Sequence, residues 1–203
     1  MEISGKVALI TGASEGIGAA TAKEFRRRGA KLSLVARSGD KLADVGGTEA
    51  VVTAGDLCDH EVRERAVAAT LDRFGRIDIL VNNAGAGMYA PAWRAPMEPV
   101  RAMFDLNVLA AVSMTQLAVA PMRRQGGGII VNVSSIAGLV PLPWFTLYSG
   151  TKFALRAIGD GLRMELRPFH IRVVTVCPGY VRTRLGEFFD DFGLASRREA
   201  QHR

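Results

Sequence analysis

The stretch Val7-Ala-Leu-Ile-Thr-Gly12-Ala-Ser-Glu-Gly16-Ile-Gly18, running on into Ala19 to Arg28, sets the fold. A short apolar run, a turn of glycines and a good helix former follow one another. Strand, glycine turn and helix form the phosphate-binding arrangement of nucleotide folds. Glycine lets the backbone come close to a pyrophosphate, and the helix N-terminus favours its charge. The spacing is G-x-x-x-G-x-G, which is neither G-x-G-x-x-G nor a Walker loop, since no Gly-Lys-Ser/Thr follows. An ordinary glycine-rich connection would read the same way, so the neighbouring segments must decide.

Lys31 to Ala36 reads as a second strand, and Arg37-Ser38 follows it. Dinucleotide folds place an acid near this strand end, on the ribose 2′-hydroxyl. Here Ala36 and Arg37 occupy that place. A guanidinium can take a 2′-phosphate bidentately, which points to NADP over NAD; the bland alternative is an exposed loop arginine. Glu15, inside the glycine turn, brings a carboxylate near the same region and weighs against NADP. A short helix over Asp40 to Val45 and a third strand over Ala50 to Ala54 lead to Asp56-Leu57. Asp56 could accept from an adenine amino group or start a turn.

His60 to Phe74 is predicted as an amphipathic helix with Val62, Ala66, Ala69 and Phe74 inward. Asp78 to Val81 is a fourth strand ending in Asn82-Asn-Ala-Gly85, and a long helix runs from about Val100 to Arg124. Asn107 falls inside that helix among apolar neighbours. It must therefore brace the helix or hold a water. Ile129 to Val133 and Ile171 to Val176 are the fifth and sixth strands. Six strands alternating with helices predict an α/β fold: a Rossmann-type, doubly wound parallel sheet of order 3-2-1-4-5-6. All the strand ends carrying these residues then open on one edge.

Between the last two strands stands Tyr148-Ser-Gly-Thr-Lys152. On a helix Tyr148 and Lys152 share a face one turn apart. A nearby ammonium is expected to lower the phenol pKa from its usual value of roughly 10. Ser134 and Ser135 end the fifth strand and could deliver a hydroxyl beside that phenol. This is general acid–base equipment for a carbonyl reduction.

The chain has 203 residues, 48% of them hydrophobic and 23% charged, enough for one domain with a sizeable core. The net charge of +6 is dispersed in short groups such as Arg26-Arg-Arg28 and Arg123-Arg124, so no nucleic acid is expected as a partner. Cys58 and Cys177 have no metal spacing and read as reduced, packed thiols. No metal site is expected. The start of the chain has no signal-peptide pattern, and the apolar window Val108 to Met122 is too short for a bilayer span. The expectation is a cytoplasmic protein.

The chain resembles the short-chain dehydrogenase/reductase family in its tyrosine-and-lysine form. Thr11 to Gly18, Asn82 to Gly85, Asn107, Ser135, Tyr148 to Lys152 and Pro178-Gly179 carry the resemblance, in family order. It implies an oxidoreductase acting on a ketone or secondary alcohol, with Tyr148, Lys152, Ser135 and Asn107 as the catalytic set. Tyr148 would exchange a proton with the substrate oxygen, and Ser135 would polarise the carbonyl. Lys152 would lower the Tyr148 pKa and bond the nicotinamide ribose. Asn107 would hold a water linking Lys152 to solvent. The implied NADP contacts are Gly12, Ser14, Glu15, Gly16, Ile17, Gly18, Arg37, Asp56, Leu57, Asn83, Ala84, Gly85, Tyr148, Lys152, Pro178, Gly179, Val181 and Thr183.

The substrate is expected against Ser135, Tyr148, Trp144 and Tyr180. A wider apolar lining of Met88, Trp93, Ile136, Leu139, Pro143, Phe188 and Phe189 makes it an apolar small molecule. Each lining residue could instead be core or interface. The resemblance implies a homodimer through the Asn107 and Tyr148 helices, with residues 1–185 as the dinucleotide-binding and catalytic unit. Residues 186–203 form part of a substrate loop and a basic tail. Family members continue past this length, so a seventh strand is expected to be missing and the sixth to lie at an exposed edge. The rival reading is a dinucleotide-binding sensor or assembly protein without turnover.

Overall fold

In the computed structural model, residues 2–181 are described. Six strands form one parallel sheet in the order β3-β2-β1-β4-β5-β6, as the alternation of segments predicts. They are β1 (Val7–Thr11), β2 (Lys31–Ala36), β3 (Val51–Ala54), β4 (Ile79–Asn82), β5 (Gly128–Val133) and β6 (Ile171–Val176). β1 lies between β2 and β4, and every one of its residues is buried. A strand covered on both faces reads as a continuous apolar run, and Val7 to Ile10 is one.

Five helices cover the sheet: α1 (Gly16–Arg27), α2 (Gly39–Gly46), α3 (His60–Phe74), α4 (Met97–Arg124) and α5 (Thr146–Leu166). On one face Leu9, Leu80, Ile130 and Val173 pack with Val62 and Ala66 of α3, Met114 and Met122 of α4 and Leu166 of α5. On the other, Ala8, Ile10, Leu34 and Val81 pack with Ala19 and Ala22 of α1 and Leu42 and Val45 of α2. The change of winding direction between β1 and β4 opens a crevice at the carboxyl ends of these strands, where such sheets take ligands.

Three local readings need correcting. The inward face of α3 is Val62, Ala66, Val67 and Thr70; Ala69 and Phe74 are only half-buried. Thr70 tolerates burial because its hydroxyl donates to the Ala66 carbonyl at 2.6 Å and lies 2.7 Å from the Ser33 hydroxyl. Cys58 is an exposed residue in the turn before α3, and partial desolvation of its thiol together with the neighbouring Asp56 carboxylate pushes it up to about 11. It is therefore no thiolate at neutral pH.

Third, α4 extends three residues further back than expected and runs for 28 residues. By length and composition it could cross a bilayer. Its apolar residues Val100, Met103, Val108, Met114 and Met122 are buried within the protein itself. Over Asp105–Leu109 the helix widens into a π-turn. Such turns are frequent at functional sites, and this one carries Asn107.

Among the described residues β6 has β5 as its one neighbour. Val174 and Val176 are 45% and 44% exposed. Residues past Val181 lie outside the described residues, and with them the expected contact from Thr183 and the lining by Phe188 and Phe189.

Candidate active site

The glycine turn is built by close approach. Gly12 and Gly16 take φ of 63° and 56°, which L side chains rarely adopt. A Cβ at Gly12 would meet the Ala84 backbone at 2.7 Å, and one at Gly18 would meet the Gly12 carbonyl oxygen at 2.3 Å. Space for a side chain is therefore absent at both glycines. Ser14 and Ile17 are half-buried on the same turn.

Thr11 is the residue that the sequence reading left without a role. Its buried hydroxyl donates to the Val81 carbonyl at 3.2 Å and accepts from the Asn83 and Ala84 amides at 3.0 and 3.1 Å. Asn83 returns the link, its side-chain amide donating to the Thr11 and Gly12 carbonyls at 3.0 Å each. The glycine turn and the Asn83–Gly85 turn are thus one bonded unit. The available signal was a hydroxyl closing an apolar strand directly before the glycines.

A Gly18→Ala change tests this unit. The clash is with backbone, so it cannot be relieved by a side-chain swing. We expect a loss of about 1–3 kcal/mol in urea unfolding together with loss of dinucleotide binding by calorimetry. An unchanged affinity would mean that the turn is not the phosphate seat.

At the next strand end Arg37 is exposed, and the Glu15 carboxylate forms an ion pair with Lys41. Asp56 Oδ1 accepts the Cys58 amide at 2.9 Å, so this carboxylate closes a turn. Leu57 points its side chain into the core, 5% exposed, and offers a ligand no side chain. The expected contact from Leu57 would be made by its backbone.

Tyr148, Lys152 and Ser135 come together at the end of β5. Tyr148 and Lys152 lie one turn apart on α5, both buried, with Lys152 only 4% exposed. Ser135 stands beside the Tyr148 hydroxyl, which its hydroxyl helps to hold down in pKa, and accepts the Ala137 amide at 3.1 Å. Ser134 faces the other way and donates to the Lys152 carbonyl at 2.9 Å. Its hydroxyl is thereby committed to the α5 backbone. Lys152 Nζ donates to the Val133 carbonyl at 3.0 Å and sits 5.7 Å from the centre of the Tyr148 ring.

The expected acidity of the phenol is not what this arrangement produces. Burial pushes the Tyr148 hydroxyl above the ordinary phenol range, and the Ser135 hydrogen bond pulls it partly back. The ammonium lies over the ring face and its proton is directed to Val133, so it does little for the phenolate. The charge most affected is the ammonium itself: burial brings Lys152 down to about 8.

Asn107 resolves as a brace. Its Oδ1 accepts the Ala86 amide at 2.8 Å, and its Nδ2 donates to the Ala86 carbonyl at 2.8 Å and to the Thr151 hydroxyl at 3.0 Å. Both amide hydrogens are spent within the protein, and Oδ1 keeps a second lone pair for the water that the resemblance implied. A Cβ on Gly85 would lie 3.1 Å from Asn107 Oδ1 and 3.4 Å from Lys152 Nζ. Gly85 is what lets the bonded turn lie against the buried ammonium.

On the substrate side Trp144 takes a left-handed φ of 67°, held by the Ala90 amide donating to its carbonyl at 2.8 Å. Its ring belongs to a ladder that runs through Tyr89 and Phe145 to Tyr148, with centroids 6.3, 5.0 and 6.3 Å apart. Ile136, Leu139, Pro143 and Trp144 are exposed near this end of β5. Met88 is not lining: it is 3% exposed, in a small core with Met103 and Tyr148. Trp93 projects outward, with the Arg94 guanidinium 4.2 Å from its ring. Pro178 accepts the Ile136 amide at 2.8 Å and so brings Gly179 beside the site, whereas Tyr180 is 96% exposed.

A glycine-turn cradle on a doubly wound sheet, with a buried Tyr–Lys–Ser cluster at the same strand edge, defines a dinucleotide-binding protein of the Rossmann class. Residues 6–191 match the short chain dehydrogenase family, and the chain belongs to it. It is 40% identical over 189 residues to an uncharacterised oxidoreductase of Methylorubrum extorquens, covering 90% of this chain and 75% of that one. The structure of a 3-ketoacyl-(acyl-carrier-protein) reductase from Brucella melitensis complexed with NADH is similar at a TM-score of 0.88 and 35% identity, covering 92% of this chain and 80% of that one. A short chain dehydrogenase/reductase from Burkholderia phymatum in complex with NAD also gives 0.88, at 28% identity, covering 92% of this chain and 70% of that one.

Proposed function

We propose that the chain is an NADP-dependent oxidoreductase that interconverts a ketone and a secondary alcohol of apolar character. The observation that carries this reading is the Ser135–Tyr148 hydroxyl pair beside buried Lys152 and Gly85. The glycine turn fits a dinucleotide, since it leads into the N-terminus of α1, with two positive-φ glycines and no room for a Cβ at Gly12 or Gly18. When bound, the dinucleotide supplies or receives the hydride at the substrate carbon.

The chain's own residues do the rest. Tyr148 gives its hydroxyl proton to the substrate oxygen in reduction and takes one back in oxidation. Ser135 donates a hydrogen bond to that same oxygen and holds it against the phenol. Lys152, buried one turn from Tyr148, would bond the nicotinamide ribose when the dinucleotide is bound. Asn107 is a positioning residue, keeping Gly85 and α5 in register. Gly12 to Gly18 seat the pyrophosphate, while Asn83 to Gly85 and Asp56 line the adenosine side. Pro178, Gly179, Val181 and Thr183 follow the nicotinamide. Residues 1–185 form the working unit.

Arg37 is assigned to the 2′-phosphate. The two structural neighbours described above hold NADH and NAD, so NAD is the competing cofactor. Arg37→Asp replaces a charge-assisted contact with a repulsion and should lower the NADPH-over-NADH preference by about 100-fold. A variant that prefers NADPH as strongly as before overturns the assignment of Arg37.

The same reading gives a homodimer in the cytoplasm, with α4 and α5 of two copies packed together. Leu109 on α4 and Met164 on α5, 59% and 72% exposed, are the apolar side chains that such packing would cover. Sedimentation should return a dimer; a monomer at high micromolar concentration, or a stable tetramer, contradicts it.

A further inference from the structure

We propose that the hydroxyls of Thr151 and Ser134 are positioning groups for the two residues of α5 that work at the site, Thr151 for Tyr148 and Ser134 for Lys152. The inference rests on the oxidoreductase reading above and adds two residues to it, both acting through the backbone of α5.

Both side chains are buried. Each spends its hydroxyl on a main-chain carbonyl of α5, and the two carbonyls are those of Tyr148 and Lys152. Thr151 Oγ1 donates to the Tyr148 carbonyl at 2.7 Å, and Ser134 Oγ donates to the Lys152 carbonyl at 2.9 Å. The α5 ladder does not need these bonds. Carbonyls well inside a helix of 21 residues already accept from the amide four residues on. A second donor on such a carbonyl tilts its peptide and bends the helix locally. The two added donors therefore fix how α5 is set at the two working residues.

A back-bond from Thr151 alone would be the ordinary way for a buried hydroxyl in a helix to find a partner. A second link sets it apart. The same oxygen accepts the Asn107 side-chain amide at 3.0 Å, and Asn107 is bonded to both backbone groups of Ala86. One hydroxyl thus ties the Tyr148 carbonyl to the π-turn of α4 and the Gly85 turn. Ser134 reaches 18 residues along the chain, from the end of β5. The Lys152 ammonium donates to the Val133 carbonyl, so neighbouring residues of one strand end hold Lys152 at its backbone and at its tip. Gly138 makes room for this. A Cβ there would lie 2.5 Å from Ser134 Oγ and 2.8 Å from the Lys152 carbonyl oxygen.

The two ties have separable consequences. Tyr148 meets the substrate oxygen, so an error in its setting falls on the chemical step. Lys152 lies against Gly85 and the ribose, so an error in its setting falls on dinucleotide binding. Misplacing a reacting group by about 1 Å costs about 10²-fold. A helix that keeps its own ladder but loses one of these hydroxyls is free to make part of that shift.

The test measures kcat for reduction of an apolar ketone, the pH midpoint of the reverse oxidation, and NADPH affinity by calorimetry, all on the full chain. In Thr151→Val kcat should fall about tenfold or more, with the pH midpoint displaced and NADPH bound as before. Thr151→Ser keeps the hydroxyl and should restore most of the rate. Ser134→Ala should weaken NADPH binding about fivefold or more, the size of one hydrogen bond, and it carries the test if the valine variant does not fold. Hydroxyls of merely structural use would lower the urea midpoint and leave kcat, pH midpoint and affinity of the folded protein unchanged. That result, with the unaltered chain active and Tyr148→Phe inactive, overturns the inference and leaves the oxidoreductase reading standing. If the unaltered chain reduces no ketone, the oxidoreductase reading itself fails, and this inference with it.

Discussion

Tyr148→Phe is expected to lower turnover by about 10²–10⁴-fold, the usual contribution of a positioned general acid, while NADPH still binds. The ring is retained, so packing against Phe145 and Met103 is kept. The hydroxyl lost is the one beside Ser135. Because burial holds the phenol above its ordinary range in the protein alone, it starts as a neutral acid, ready to give a proton to a carbonyl oxygen. In the oxidation direction the phenolate is needed. Oxidation should therefore rise with pH through the phenol titration, and reduction should fall. A Phe variant that turns over at the original rate would remove Tyr148 from the chemistry.

Lys152→Met is expected to stabilise the fold while it disables the enzyme. A buried ammonium with a single carbonyl partner is costly, and Met fills similar space without the charge. The size follows from linkage. Lys152 falls from its ordinary 10.5 to about 8 on folding, a difference worth about 3 kcal/mol. Below pH 8 both states carry the proton and the folded state bears the whole penalty. Between pH 8 and 10.5 the unfolded chain still holds a proton that the folded protein has lost, so stability rises with pH. Above 10.5 the penalty is gone. Urea unfolding at pH 7 should show the Met variant more stable by up to about 3 kcal/mol, and at pH 10.5 the gain should vanish. A Met variant less stable at pH 7 would mean that the ammonium is stabilised by contacts beyond Val133. The expected trade of stability against activity is common where charge is buried for function.

The parts legible from the sequence were those that local spacing controls. Four residues on a helix put Lys152 under Tyr148 wherever the helix points, and a run of apolar residues before glycines makes β1 and its turn. Ser135 was told from Ser134 only by the separation from Tyr148 that the family resemblance implies, and Ser134 turns to the Lys152 carbonyl. What stayed hidden depends on partners distant in sequence. The π-turn in α4 accompanies the bonds of Asn107 to Ala86, 21 residues away, and to Thr151, 44 away. The roles of Thr11 and Asn83 span 72 residues. The inward face of α3 turned on whether Thr70 could find Ser33, which periodicity alone does not reveal. The phenol's acidity was misjudged for a related reason: proximity along a helix fixes distance, whereas burial and the direction of the ammonium fix the sign.

The central claim is that Tyr148 protonates a substrate oxygen while a nicotinamide delivers hydride to the adjacent carbon. It is tested most directly by incubating the chain with NADPH deuterated at both C4 positions and a panel of apolar ketones. The expected product is an alcohol with one deuterium on its carbinol carbon, formed by the unaltered chain and at a rate lower by orders of magnitude in Tyr148→Phe. Saturating NADPH binding with no label in any alcohol would contradict the claim and leave a dinucleotide sensor in its place.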